Sequence, residues 1–389
     1  MNQANKYNIA IIGLGYVGLP LAIEFGKNFN TIGFDIKEKR INDLNRQFDS
    51  NLEVSKKDIK SAKHLLFSCN KSDIVNSNIY IISVSTPIYE NNTPNLEYIS
   101  SASKLVASML KKDDLVIYES TVYPGCTEDY CVPILEKESK LKYNKDFFCG
   151  YSPERINPGD SDKPITSIIK ITSGSNIEIA QKVDKLYKKI IIAGTYLASS
   201  IKIAEAAKVI ENTQRSVNIA LMNELAVILN SKGIDTQEVL DAAGTKWNFL
   251  KFKPGLVGGH CIGVDPHYLI WAAIKNGISP NLILSAMKAN DLMSKHIVDR
   301  IFTFLNNQKI KKEKSKILIL GATYKENCSD TRNSKVFQII DILNLNNCTI
   351  RVFDPYIASD EIEEKYKNYF LKDLNIKNTV IYNIVLIAV

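Results

Sequence analysis

No stretch of this chain approaches the roughly 20 consecutive apolar residues that a membrane-spanning helix needs. Met1 to Gly13 contains no apolar core followed by a small-residue cleavage site, so its apolar part reads as a strand rather than a signal peptide. Charge is never gathered into blocks: Lys, Asp and Glu are scattered, with no basic run and no aromatic-basic stripe. The net charge of +7 suits a small anionic substrate as well as a nucleic acid, so charge alone does not choose between them. The 7 cysteines include no C-x-x-C pair. That argues against a disulfide scaffold and a structural zinc site, and reads as buried thiols in a reducing, cytoplasmic setting, with one exception taken up below.

What is present is ample core. With 389 residues, 45% of them hydrophobic and 23% charged, two or three globular domains are expected. Lys6 to Gly13 reads as a strand feeding a Gly-rich turn and then a helix to about Phe25. Thr31 to Asp35, Asn78 to Val84 and Asp114 to Glu119 repeat the theme of strand and polar turn. Such alternation predicts an α/β fold with a doubly wound parallel sheet. Lys202 to Lys232 then runs without Gly or Pro, and Ile203, Ala207, Ile210, Val217, Leu221, Leu225 and Ile228 fall at three- and four-residue steps. One long helix stopped by Gly233 is predicted, needing partners along its apolar stripe and so placed to build a homodimer interface. After a charged linker, Lys309 to Lys316, a second strand–turn–helix–strand unit begins at Ile317, and its next strand, Thr349 to Phe353, again ends on an acid, Asp354. The expected organisation is two Rossmann-like domains, 1–200 and 309–389, joined by the long helix and a helical middle, 201–308. The closing run Ile384 to Val389 reads as a central parallel strand, and the C-terminal domain as incomplete.

Gly13-Leu14-Gly15-Tyr16-Val17-Gly18 follows a strand, opens a helix and precedes an acid at the next strand tip. In that context Gly13 permits the tight turn, Gly15 lets backbone approach a pyrophosphate, and Gly18 lets helix and strand pack closely. Asp35, 22 residues past Gly13, accepts ribose hydroxyls and repels a 2′-phosphate, so NAD is the expected cofactor. Arg40 is the counter-signal, since a guanidinium there is able to pair with a 2′-phosphate.

The passage Pro254 to Pro266 holds four glycines, Gly255, Gly258, Gly259 and Gly263, with Cys261 directly after Gly-Gly-His. A cysteine at a helix start has its thiolate favoured by the dipole, which makes Cys261 a candidate nucleophile. A metal site from His260, Cys261, Asp265 and His267 and a plain buried thiol are the competing readings. Lys208 and Asn212, four residues apart, share one face of the long helix away from the apolar stripe, either holding an oxyanion or facing solvent.

These motifs, with Ser120 to Gly125, Tyr151-Ser152-Pro153-Glu154-Arg155-Ile156-Asn157-Pro158-Gly159 and Tyr324-Lys325-Glu326-Asn327 to Arg332, stand in the order seen in the UDP-glucose/GDP-mannose dehydrogenase family. The chain resembles that family over nearly its whole length, and most of all its bacterial UDP-N-acetylglucosamine/UDP-N-acetylgalactosamine 6-dehydrogenases. The resemblance implies four-electron oxidation of a UDP-sugar by NAD, with Cys261 capturing an aldehyde as a thiohemiacetal that becomes a thioester. It further implies that Lys208 and Asn212 stabilise oxyanions, that Asp265 supports proton transfer, and that Glu154, with a water near Thr121, serves thioester hydrolysis. Thr86, Arg40, Thr121 and Arg332 match cofactor contacts; Glu154, Lys208, Gly258 and Lys325 match substrate contacts. No metal, nucleic-acid or membrane partner is implied. Gly263-Val264 replaces the Pro-Lys of members acting on UDP-glucose, Pro158 replaces a second acid, and His267 stands where this branch often has tyrosine. The first two departures weaken a UDP-glucose reading and favour the N-acetylhexosamine branch, with a UDP-N-acetylmannosamine or UDP-glucose enzyme of the same family as the alternative. An inactive NAD-binding protein is the alternative of another class.

Overall fold

The computed structural model describes residues 7–389 except 52, 157–163, 358–361 and 375–380. The motif residues Asn157, Pro158 and Gly159 therefore lie outside the described residues. The chain forms two compact units, residues 1–211 with 267–272, and residues 212–266 with 273–389.

The first unit is built on an eight-stranded sheet. Its strands are β1 (Asn8–Ile12), β2 (Asn30–Phe34), β3 (Leu65–Ser68), β4 (Ile79–Ile82), β5 (Asp114–Tyr118), β6 (Phe147–Tyr151), β7 (Lys170–Gly174) and β8 (Thr195–Leu197), in the order β3-β2-β1-β4-β5-β6-β7-β8. β4 and β5 are buried along their whole length, as continuous apolar runs must be when both faces of a parallel sheet are covered. The order reverses between β1 and β4, the switch point at which open α/β sheets leave a crevice for a ligand. One pairing departs from the all-parallel expectation: β7 runs antiparallel to β6.

The long helix spans Ile201–Ser231, within a residue of the predicted bounds, and Gly233 beyond it takes a left-handed φ of +70°. Its faces are used differently from the pattern-based expectation. Ala204, Glu205, Lys208, Val209, Asn212, Ser216 and Asn223 are buried, whereas Ile203, Ile210, Leu221 and Ile228 are exposed. The apolar stripe therefore lies on the uncovered side of the chain, and Lys208 and Asn212 do not face solvent.

In the second unit β9 (Lys316–Leu320), β10 (Thr349–Phe353) and β11 (Ile384–Ile387) form a parallel sheet ordered β10-β9-β11. Val298, Ile301 and Leu305 of the helix Asn281–Asn307 pack with Ile339, Ile340 and Leu343 of the helix Val336–Leu345 onto Ile317 and Ile319. Among the described residues β11 pairs with β9, and its Val385 and Ile387 are exposed.

The coarse internal repetition of the sequence is repeated atom by atom. Gly13 (φ +94°) donates its N–H to Phe34 O at 2.8 Å, and Gly321 (φ +90°) donates to Phe353 O at 2.9 Å. Asp35 Oδ2 accepts from Leu14 N at 2.9 Å, and Asp354 Oδ2 from Ala322 N at 2.8 Å. In both units the second strand's terminal acid braces the turn after the first strand, a turn whose left-handed residue favours glycine.

Candidate active site

The Gly13–Gly18 turn carries the features a dinucleotide needs. A Cβ at Gly15 would meet nothing within 4 Å, so backbone N–H groups there are open to a pyrophosphate. Asp35 Oδ1 accepts from Lys37 N and Oδ2 from Leu14 N, both at 2.9 Å, which fixes the carboxylate and leaves each oxygen a further lone pair for a ribose hydroxyl. Arg40 is turned inward. Its Nε donates to Leu14 O at 3.0 Å and one terminal nitrogen to Asp49 at 2.6 Å and Ser50 at 3.0 Å, leaving the other buried without a partner. Asp49 neutralises the guanidinium, so the residue that argued for a 2′-phosphate instead buttresses the turn. The residues fit NAD.

The turns after β4 and β5 meet at the switch point. Thr86 Oγ1 donates to Thr121 O at 2.6 Å, and Ser120 Oγ to Val84 O at 2.6 Å. Glu205 fixes the far end of the Ser120–Thr127 segment, accepting the N–H of Gly125 at 2.6 Å and of Thr127 at 2.8 Å. Burial pushes the Glu205 carboxyl up to about 7 against those hydrogen bonds. Glu154 is buried just after β6; its Oε1 accepts from Arg155 N at 2.5 Å and from Ile156 N, and its Oε2 has no hydrogen-bond partner.

In the second unit the cysteine loop is pinned to the long helix by Asn223, whose amide exchanges hydrogen bonds with Gly255 N at 2.8 Å and Gly255 O at 3.1 Å. A Cβ at Gly258 would stand 2.8 Å from Asn333 O and one at Gly259 2.8 Å from the Tyr324 ring, so this packing requires glycine at both. Cys261 is half-buried and its carbonyl accepts from Val264 N and Asp265 N at 3.1 and 2.9 Å, in the turn that feeds the helix Asp265–Lys275. Asp265 is buried and takes a short hydrogen bond from Asn212 Nδ2, while Arg215 donates to Asn212 Oδ1. Burial, with Arg332 nearby, lowers the proton affinity of His260, which lies 3.3 Å from Asp330. Burial pushes Asp330 up, but bonds from Arg332 Nε and Nη2, both at 3.0 Å, hold its carboxyl below the usual range. Gly258 and Lys325 line one cavity of about 200 Å³ with Thr323, Tyr324, Ser334 and Lys335. Among the described residues no group of three His, Cys, Asp or Glu is gathered as a metal would need.

The candidates thus gather into local sets: Gly13, Gly15, Gly18, Asp35 and Arg40; Thr86 with Thr121; Asn212 with Asp265 beside Cys261; Gly258 with Lys325. Sequence reasoning missed Glu119, Lys170 and Glu205, all buried. A charged residue closing or opening an apolar strand, as in Leu-Val-Ile-Tyr-Glu119 and Ile-Ile-Lys170-Ile, is the signal that would have found the first two.

A dinucleotide turn at a switch point, a half-buried thiol in a glycine-rich loop and a second unit that repeats the first one's turn suit an NAD-dependent nucleotide-sugar dehydrogenase. The chain belongs to the UDP-glucose/GDP-mannose dehydrogenase family: it matches the family's NAD binding domain over residues 7–191, its central domain over 202–292 and its UDP binding domain over 318–389. It is 53% identical over 358 residues to a UDP-N-acetyl-D-glucosamine 6-dehydrogenase of Pseudomonas aeruginosa, covering 92% of this chain and 85% of that protein. It is 50% identical to the protein of the same name from Salmonella typhi, over 93% of this chain and 85% of that one. A solved UDP-D-ManNAc dehydrogenase from Pyrococcus horikoshii superposes with a TM-score of 0.84 at 32% identity, covering 90% of this chain and 84% of that one. The enzyme uses NAD and takes a UDP-sugar.

Proposed function

We propose that the enzyme oxidises carbon 6 of a UDP-N-acetylhexosamine, UDP-N-acetylglucosamine or its C4 epimer, to the carboxylate, for surface polysaccharide synthesis. The observation that carries the substrate is the identity of 53% and 50% to two UDP-N-acetyl-D-glucosamine 6-dehydrogenases over more than nine-tenths of the chain. Gly263-Val264, in place of the Pro-Lys of UDP-glucose enzymes, points the same way.

Two NAD⁺ molecules, bound one after the other, would supply the hydride acceptors for two successive oxidations. Gly13, Gly15, Gly18 and Asp35, with Thr86, Thr121 and Arg332, would hold each, with Arg40 bracing the turn from within. Gly258 and Lys325 hold the nucleotide-sugar. Lys208 and Asn212 steady the carbon-6 oxygen as the alcohol loses its proton and becomes a carbonyl, with Asp265 fixing Asn212 and aiding proton transfer. The Cys261 thiolate then bonds to the aldehyde carbon and the oxygen takes a proton, giving a thiohemiacetal. This adduct, unlike a free aldehyde, gives up hydride readily and becomes a thioester. Water beside Thr121 attacks the thioester carbon as Glu154 takes its proton; the C–S bond breaks, Cys261 leaves as thiolate and the sugar as carboxylate.

The test is NADH formation across UDP-N-acetylglucosamine, UDP-N-acetylgalactosamine, UDP-N-acetylmannosamine and UDP-glucose. One of the first two should lead in kcat/KM by about tenfold or more, the scale on which a site rejects a poorly fitting analogue. Equal turnover of UDP-glucose would refute the substrate assignment, and no NADH from any sugar would leave the inactive, NAD-binding reading.

We further propose that the enzyme works as a cytoplasmic homodimer, with residues 1–200 binding NAD, 201–308 joining the subunits and 309–389 binding UDP-sugar. All seven cysteines are free thiols, which suits a reducing compartment. The exposed Ile203, Ile210, Leu221 and Ile228 supply an apolar seam along the long helix. Sedimentation equilibrium at micromolar concentration should return twice the chain mass, and a monomer would rule this interface out.

A further inference from the structure

Behind Glu154, within the first unit, lies a buried cluster with no part in the chemistry above. Lys170, the first residue of β7, is 2% exposed and its Nζ lies 2.5 Å from Glu119 Oε2, 3.0 Å from Pro153 O and 3.8 Å from Glu154 Oε2. Glu119, fully buried at the end of β5, accepts on its other oxygen from the Tyr187 hydroxyl. Two carboxylates therefore share one ammonium.

We propose that Lys170 is a positioning residue for Glu154, seated for that task by Glu119 and Tyr187, and that it fixes the place of the carboxylate that serves thioester hydrolysis. The inference rests on the hydrolytic role of Glu154 given above.

Three features carry it. An ion pair serving only to tie strands together needs one carboxylate, and burying each further charge costs several kcal/mol. The second carboxylate here belongs to the segment that Lys170 also grips through Pro153 O, so the ammonium sets where Glu154 stands. Backbone N–H groups occupy only Oε1 of Glu154, and the ammonium faces the unpartnered Oε2 from beyond hydrogen-bond reach. At that range the charge draws the carboxylate toward it without occupying the lone pair that must take a proton.

The cluster also titrates near neutrality. Burial pushes the Glu119 carboxyl up to about 7; Lys170 pulls it down, the Glu154 charge pushes it up, and the bonds from Lys170 and Tyr187 lower it. Arg155, next to Glu154, is paired with Glu211 at 3.2 Å. Below that point Glu119 carries a proton and the ammonium acts on Glu154 undivided. Above it Glu119 claims the ammonium and the hold of Lys170 on Glu154 loosens.

The experiment measures acid release against pH with UDP-N-acetylglucosamine and NAD for the parent, Glu154→Gln, Lys170→Met, Lys170→Arg and Glu119→Gln. In Lys170→Met kcat should fall by about 100-fold, the lower range for a disabled general base, with KM for the sugar little changed. Lys170→Arg should recover most of that loss, and Glu119→Gln, whose amide oxygen can still accept from Lys170, should lose an inflection present near pH 7 in the parent. Should Lys170→Met fail to fold, the inflection in Glu119→Gln decides. A slow Glu154→Gln beside a Lys170→Met at the parent rate, or a Glu119→Gln that keeps the inflection, overturns the positioning role alone. A Glu154→Gln that releases acid at the parent rate removes the hydrolytic role, and the positioning role with it.

Discussion

Cys261→Ser is expected to consume UDP-sugar to the aldehyde, to form one NADH per sugar rather than two, and to release acid at least about 10³-fold more slowly, well within the losses seen when a covalent nucleophile is removed. The first oxidation draws on Lys208, Asn212 and Asp265; the hydrogen bond from Asp265 N to the Cys261 carbonyl does not depend on the Cys261 side chain and survives the change. The second oxidation needs an adduct. A thiol is acidic enough to react in part as the thiolate, whereas a serine hydroxyl in its place would need a general base to activate it. Even where a serine hemiacetal formed and was oxidised, the resulting ester has a far poorer leaving group than a thioester. Single-turnover counting of NADH, with hydroxylamine trapping of the aldehyde, reads both halves. Two NADH and full acid release from the serine variant would remove the covalent route.

Much of this arrangement is legible in the sequence, and the parts that are not share a cause. Gly13 to Gly18 and Asp35 are local signals, since turn, helix start and strand tip are neighbours along the chain, and the same grammar repeats at Gly321 and Asp354. The long helix was legible in extent but not in orientation. Periodicity finds a stripe of large apolar residues, yet Ile203, Ile210, Leu221 and Ile228 are exposed while small and polar residues such as Ala204, Ser216 and Asn223 are buried. A helix crowded closely by its surroundings selects small side chains, and side-chain size is invisible to a pattern that scores only hydrophobicity. Arg40 illustrates a second limit. Its type suggests a phosphate, but its meaning is set by Asp49, nine residues on and across a turn. Glu119 and Lys170 are 51 residues apart and meet only because β5, β6 and β7 are adjacent in the sheet, with β7 reversed. Pairings of this kind are products of topology, which no local reading supplies.

The Gly-rich turn allows its two functions, folding and cofactor approach, to be separated by two single-methyl substitutions. A Cβ at Gly18 would stand 1.9 Å from Gly13 O and 2.4 Å from Ser83 Oγ. The first is backbone and cannot swing aside, and Ser83 is held there by its own hydrogen bonds to Gly13 O at 2.8 Å and Ile12 O at 3.2 Å. Gly18→Ala must therefore push the helix Gly18–Gly26 away from β1. That overpacking should cost about 3 kcal/mol and lower Tm by several degrees, at about 2–4 °C per kcal/mol for a unit of this size. The same displacement spoils the N–H array, so NAD affinity should drop by tenfold or more, at about 1.4 kcal/mol per decade. Gly15→Ala is the contrasting case. Nothing lies within 4 Å of the added Cβ and the backbone there is not left-handed, so Tm should stay within about a degree of the parent, as expected where no contact is disturbed. The methyl nevertheless occupies the space through which a pyrophosphate reaches the helix N-terminus, so NAD affinity should fall as far as in Gly18→Ala. Thermal melts without cofactor and calorimetric titration with NAD read the two effects separately. Unchanged NAD affinity in Gly15→Ala would mean that the pyrophosphate does not pass over this turn, and a Gly18→Ala as stable as the parent would mean that the contact with Gly13 relaxes at little cost.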